Sequence, residues 1–291
     1  MKKDIRVWLV TTDHLEEGLW FREEEDFKVG MNYVATLAAE AFVSILAFIL
    51  MSNHVHFVLV GTEEDARELI NEFKRRFAQY LQSKYGTAKF LKRNRADVRA
   101  VPSEDEAIER AIAYVMMNCV AANICAHPTQ YRWGSGSLYF NEALPGGIRA
   151  DSCSKRKLFN LLHSKAELPG HWLLSEDGYV LPASYVNKDW VEKLYRNPSR
   201  MEYFLRNSSK ARRRLEPGSE TQASFRDQTI LAAVPELCRS LFGTPSFQDL
   251  SEEQQKEVLR QLRFRFSAHV HQLARVVGLS YDAAARMLDS Q

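Results

Sequence analysis

Two histidines, His54 and His56, stand two residues apart in the run MSNHVHFVLV, whose β-branched and aromatic residues favour an extended chain. In a strand, residues i and i+2 project from the same face, so the two imidazoles lie side by side. Such a pair can clamp one divalent ion and leave coordination positions open for a phosphate oxygen, as phosphoryl-transfer chemistry requires. The same tripeptide recurs at His269-Val270-His271, directly before a helical run. There, residues two apart point about 200° away from each other, so the second pair is not expected to share an ion. Alone, the first tripeptide also fits two strand histidines satisfied by hydrogen bonds, and its surroundings must decide. The four cysteines, Cys119, Cys125, Cys153 and Cys238, have no CxxC spacing, and no signal-peptide pattern is present. A disulfide framework or zinc knuckle is therefore not expected, and a cytoplasmic protein is.

The elements that must carry the pair can be read in order. Ile5 to Thr12 (IRVWLVTT) suits a strand, and Asp26 to Phe42 a helix with Met31, Val34, Leu37 and Ala38 near helical spacing. Ser44 to Val60 reads as two strands broken around Ser52-Asn53. Thr62 can cap a second helix to Gln82, with Glu63, Glu64 and Asp65 in its first turn and Leu69, Phe73, Phe77 and Tyr80 along one stripe. A fourth strand is expected within Phe90 to Val101, and Ser103 to Glu106 reads as a capping box opening a third helix to about Asn123. This order implies an α+β fold, a small antiparallel sheet with helices on one face and a core complete by about residue 145. We therefore expect a domain over residues 1–145, a mixed connecting region with a linker over 146–225 and a helical domain over 226–291. The longest apolar run, Phe42 to Met51, is about half of what a bilayer span needs, so no membrane role is expected.

Three runs occur in sequence within roughly the first 140 residues: LWFREEEDF, MSNHVHFVLV and YVMMNCVAANICAHPTQYRWGSGSLYF. Together they resemble the REP-associated tyrosine transposases, a branch of the single-tyrosine HUH transposases. That family has Met-Pro-Asn-His-hydrophobic-His at the centre, then Tyr, two or three residues, Asn-Pro, a short helix and Tyr-x-Trp-Ser-Ser. The resemblance implies a ferredoxin-like HUH nuclease fold, with Tyr114 as catalytic nucleophile and Asn118 joining His54 and His56 around Mg²⁺ or Mn²⁺. It implies a transposase-like endonuclease that cleaves and rejoins single-stranded, hairpin-associated DNA through a 5′-phosphotyrosine. Positions i and i+4 share a helix face, so Tyr114 and Asn118 can both look at the sheet, whereas Tyr131 and Tyr139 have no such companion. Ser52, Cys119 and Gly134 stand where the family has Pro, Pro and Ser. Losing the second proline restores a backbone donor and should let the helix run straighter. A homodimer in which Tyr114 serves its partner's site stays open.

A formal net charge of +2 decides little about a nucleic-acid partner, because the placement of charge matters more. From Lys74 to Arg99 there are nine Lys/Arg against the single acid Asp97. We expect Lys74, Arg75, Arg76, Lys92, Arg93, Arg95 and Arg99 to meet phosphates, with Tyr80, Tyr85 and Phe90 offering stacking surfaces and Phe73 and Phe77 in the core. Near the end, HQLARVVGLSYDAAARMLD resembles a helix-turn-helix for duplex DNA, with Gly278 in the turn, Ser280 as cap, and Tyr281 and Arg286 near the groove. The alternative function is a catalytically inactive, sequence-specific regulator that binds through this element.

Overall fold

The computed structural model describes residues 4–12, 20–52, 54–86, 96–122, 124–209, 227–266, 268 and 270–289. The extended runs form β1 (Arg6–Thr11), β2 (Ser44–Met51) and β3 (His54–Gly61), joined by a short β4 (Asp97–Ala100). Their order is β2-β3-β1-β4, with every neighbouring pair antiparallel. β1 and β2 thus run parallel on either side of β3, and α1 (Glu24–Glu40) makes the crossover between them, the split βαβ of a ferredoxin-like sheet. The fold is α+β, with a mainly helical C-terminal region.

Pairing register sorts the side chains. Thr11 and Ile49 stand opposite His56, and Met51 stands opposite His54; Val10 and Phe48 stand opposite Phe57. Directly opposed residues share a face, so the first set lines one side of the sheet and the second set the other. The Phe57 side is covered by α2 (Glu63–Tyr85), whose Phe73 ring lies 6.1 Å from that of Phe57. Phe77 stacks on Phe73 at 5.8 Å, so both belong to the core as expected. Thr62 starts this helix by accepting from the Asp65 amide at 3.1 Å, the cap read from the sequence.

The histidine side is covered by α3 (Asp105–Met116), so helices flank both faces of the sheet rather than one. The reason is that β2 and β3 are buried along nearly their whole length, and a sheet apolar on both sides must be sandwiched. The N-cap of α3 is Glu104, which makes no side-chain cap bond, in place of the expected Ser103.

The core does not close near residue 145 either. One continuous cluster runs from Val7 to Leu205 and takes in Trp172, Val180, Val191, Tyr195 and Phe204. Its later part comprises the two-stranded β5 (Ile148–Arg149) and β6 (Leu173–Leu174) with α5 (Lys155–Leu162), α6 (Lys188–Tyr195) and α7 (Pro198–Arg206). Buried Asn32 of α1 is a main rivet: its amide donates to the Leu161 and Gly178 carbonyls and accepts from the Val180 amide. Residues 146–206 are therefore part of the first folded unit, and the rest of the expected connecting region from residue 210 on lies outside the described residues.

The C-terminal helices α8 (Asp227–Phe242), α9 (Glu252–Phe266), α10 (Val270–Val277) and α11 (Tyr281–Asp289) enclose a second core around Leu237, Leu259, Leu262 and Leu273. They touch the first unit where Phe264 meets Phe27 at 5.3 Å between ring centroids. No helix among the described residues is long and apolar enough to cross a membrane.

Candidate active site

His54 and His56 open β3, and the turn before them is pinned from outside the sheet. The amides of Trp20 and Phe21 both donate to the Ser52 carbonyl, at 2.9 and 3.0 Å. Trp20 and Phe21 are fully buried, and α1 starts directly afterwards. Trp20 and Phe21 thus hold the histidine strand at its entry. Both imidazoles are buried, with ring centroids 4.9 Å apart and planes perpendicular. Bonds from imidazole nitrogen to a divalent ion are about 2.0–2.1 Å, so two rings at that separation can reach one ion between them.

Across from the pair stands the half-buried Tyr114 of α3, whose ring meets that of His56 edge-on with centroids 5.7 Å apart. Chain positions separated by 58 residues are thereby brought into contact. α3 is held from behind by residues beyond the expected domain end. Arg200 forms two bonds to fully buried Glu109, at 2.5 and 2.7 Å, and the Tyr195 hydroxyl donates to the Glu109 carbonyl at 2.6 Å. These residues were not read from the sequence. The one signal was an acid between Ile108 and Ile112 on an apolar helix, since a carboxylate is buried only with a partner.

Asn118 opens a separate short helix, α4 (Asn118–Ala121), because the long helix breaks at Met117. The expected straightening does not occur. The Asn118 amide donates to the Tyr114 and Val115 carbonyls at 2.9 and 3.1 Å, and the Cys119 thiol meets the Met116 carbonyl at 3.3 Å. Side chains that bond to carbonyls three and four residues back compete with the helical amides, which bends the helix without proline. Buried Asn118 spends its nitrogen in these bonds and keeps its amide oxygen for a further contact. Among the described residues, no group of three or more His, Cys, Asp or Glu gathers as a metal site.

The tyrosines compared with Tyr114 in the sequence are structural. Tyr131 and Tyr139 are buried and donate to the Leu50 and Leu46 carbonyls of β2, and burial pushes both phenols far above their ordinary value. The Tyr-x-Trp motif that follows lines the open edge of β2: the Leu50 amide donates to the Trp133 carbonyl, and the Ser135 amide to the Phe48 carbonyl. Gly134 sits so close there that a Cβ would lie 2.7 Å from the Phe48 oxygen, which explains why serine is absent at this position.

The expected phosphate contacts divide. Lys74 is buried, so it cannot lie on a DNA-facing surface; it belongs to the packed side of α2. Arg75 and Arg76 are engaged by Glu72, and Arg76 also by Glu40. Arg99 is exposed beside Asp97, while Lys92, Arg93, Arg95 and Phe90 lie outside the described residues. Tyr80 and Tyr85 are not stacking platforms, because both hydroxyls donate to fully buried Asp26 and Arg22 covers the Tyr85 ring at 4.3 Å. The positive charge that the sequence displays on α2 is largely spent inside the protein.

In the C-terminal unit, Gly278 has φ +73° in the turn between α10 and α11, where only glycine is unstrained. The Ser280 hydroxyl accepts from the Ala283 amide at 3.2 Å, and Leu273, Val277 and Ala284 are buried. Tyr281 and Arg286 are exposed. His271 lies within α10, and His269 lies outside the described residues.

No protein-family model and no curated protein matches this chain. Among solved structures, it is similar to one described as "Structure of the REP associates tyrosine transposase bound to a REP hairpin". The identity is 14% over 45% of this chain and 76% of that one, with a TM-score of 0.35. A likeness this distant assigns no residue a role.

Proposed function

We propose that the protein is a transposase-like nuclease that cuts and rejoins single-stranded DNA with Tyr114 as nucleophile. The observation that carries the reading is the approach of Tyr114 to His56 across the sheet-helix interface, at 5.7 Å between rings. The motif resemblance in the first 140 residues supports it independently. His54, His56 and the amide oxygen of Asn118 would hold a divalent ion, Mg²⁺ or Mn²⁺, which when bound polarises the scissile phosphate and stabilises charge at phosphorus.

The phenol oxygen of Tyr114 attacks phosphorus, its proton passes to solvent, and the bond to the 3′ oxygen breaks, that oxygen taking up a proton from solvent. The products are a 5′-phosphotyrosine and a free 3′-hydroxyl. Because the phosphodiester energy is kept in the tyrosyl ester, attack by a 3′-hydroxyl regenerates DNA and the phenol without ATP. The perpendicular His56 ring limits where the phenol can swing, and the Arg200–Glu109 clamp fixes the helix that carries it. In this reading the C-terminal helices bind duplex DNA through Ser280, Tyr281 and Arg286.

The test is incubation of the protein with end-labelled hairpin oligonucleotides bearing single-stranded flanks, in Mn²⁺, followed by denaturing electrophoresis. The REP hairpin held by the structural neighbour is a reasonable first probe. A protein-DNA adduct should form, disappear in Tyr114→Phe and His54→Ala, and persist in His269→Ala. Absence of any Tyr114-dependent adduct across a broad oligonucleotide library would end the enzyme reading and leave a DNA-binding regulator.

A further inference from the structure

Two cysteines meet just beyond the helix break that sets Asn118. Cys119 is fully buried in α4, where its thiol donates to the Met116 carbonyl at 3.3 Å. The chain then turns back on α4, and the Ile124 amide donates to the Cys119 carbonyl at 3.0 Å. That reversal sets Cys125 against Cys119, and the two thiols share a hydrogen bond. Both sulfurs also lie near enough to the Tyr131 phenol for their charge to act on it. The geometry points to a thiol–disulfide exchange site at Cys119 and Cys125, closed by a small-molecule disulfide and reopened by a thiol reductant, whose closure slows the chemistry at Tyr114. The last clause rests on the reading of Tyr114 and Asn118 given above.

The surroundings of the two sulfurs differ in the way exchange requires. Hydrogen-bonded sulfurs have only a short approach left to the S–S length of about 2.05 Å. Cys119 is fixed in α4, whereas Cys125 lies in irregular chain before the short helical turn at Pro128–Gln130, so Cys125 makes that approach. Cys125 is half-buried and open to a small reagent, while Cys119 is reached only by its neighbour. The Cys125 sulfur attacks the reagent disulfide, and the departing sulfur leaves as a thiol with the Cys125 proton. The Cys119 sulfur then attacks that of Cys125 and expels the second half as a thiol with its own proton. The protein loses two hydrogens and two electrons, and the reagent disulfide is reduced to two thiols.

Closure acts on the neighbouring site through the helix break. It removes the hydrogen that Cys119 gives to Met116, one of the side-chain bonds that bend the chain at Met117. Asn118 spans the same break, with its amide on the Tyr114 and Val115 carbonyls, so a shift of α4 displaces it.

The test incubates the full chain with excess oxidised glutathione, alkylates the remaining thiols and maps the peptides by mass. A Cys119–Cys125 link should form in the parent and be absent from Cys125→Ser. After the oxidant is removed, adduct formation on the hairpin oligonucleotides in Mn²⁺ should be about tenfold slower in the linked parent. Dithiothreitol should restore it, and Cys125→Ser should keep the reduced rate throughout. Finding only glutathione attached to single cysteines, with no internal link, would overturn the exchange site. A quantitative link with an unchanged adduct rate would overturn its control of the chemistry. If the link forms and the reduced parent yields no adduct on any oligonucleotide, the exchange site stands and the nuclease reading falls.

Discussion

The two faces of the four-stranded sheet are built from the same strands yet differ in what they bury. On the α2 side, Phe57, Phe73 and Phe77 pack ring to ring with Trp20 and Phe21. On the α3 side, two imidazoles and a phenol share space with Ile49, Met51 and Val58. Burying polar rings costs free energy that aromatic packing elsewhere must offset. If the proposed function holds, stability and chemistry are separated by the thickness of one strand: residue 57 serves one and residue 56 the other, because successive side chains alternate.

Substitutions can break that separation or sharpen it. The largest effect is expected at the phenols of the α3 side. Tyr114→Phe should reduce covalent adduct formation by about 10³-fold or more with little change in stability. Tyr131→Phe should leave adduct formation intact and cost about 1 kcal/mol, because that hydroxyl only satisfies the Leu50 carbonyl. Both are read by electrophoresis alongside denaturant unfolding, and a reversed pattern would show that the nucleophile has been misassigned.

Next comes the aromatic side. Phe73→Ala should cost about 3–5 kcal/mol, measured by urea unfolding, because the ring is fully buried against Phe57 and Phe77. The fraction that remains folded should keep its cleavage rate. A loss of rate in folded protein would mean that the faces are coupled through the sheet.

A smaller effect is expected from the clamp behind α3. Arg200→Ala leaves the Glu109 carboxylate buried without its guanidinium, which should lower the unfolding midpoint and slow cleavage about tenfold at saturating DNA by loosening the helix that carries Tyr114. Arg200→Lys should recover only part of the rate, since an ammonium cannot make the paired contact. Unchanged cleavage in Arg200→Ala would confine this pair to a purely structural role.

The smallest effect is expected at the surface of α2. A hydrogen bond from Arg75, aided by Arg76, holds the Glu72 carboxyl at about 2, below its ordinary 4.5. A depressed carboxyl contributes stability that is present above its unfolded value and is lost as pH falls towards the folded one. Unfolding midpoints should therefore drop between about pH 5 and pH 2 slightly more in the parent than in Glu72→Gln, the difference being small because the group is near solvent. Identical acid profiles would show that the pair contributes nothing.

Much was legible because it depends on local periodicity. His54 and His56 share a face because strand side chains alternate, and Thr62 caps α2 because a hydroxyl and a carboxylate three residues on satisfy two orphan amides. The turn between α10 and α11 and the start of α11 follow in the same way from Gly278 and Ser280. What local patterns could not show was how charge is spent. Lys74 and Tyr80 look like a nucleic-acid surface in one dimension, but one is buried and the other donates to Asp26, 54 residues away.

The residue types and spacing by themselves determined the succession of strands and helices along the chain, the pairing of the two imidazoles and the placement of Tyr114 on a helix after the fourth strand. Only the tertiary structure decided that this helix covers the opposite face from α1 and α2, that it breaks at Met117 without a proline, and that residues 146–206 brace it from behind. The physical reason is range. Alternation and capping act within a few residues, whereas a sheet apolar on both faces and a buried Glu109 find their partners wherever the folded chain brings them.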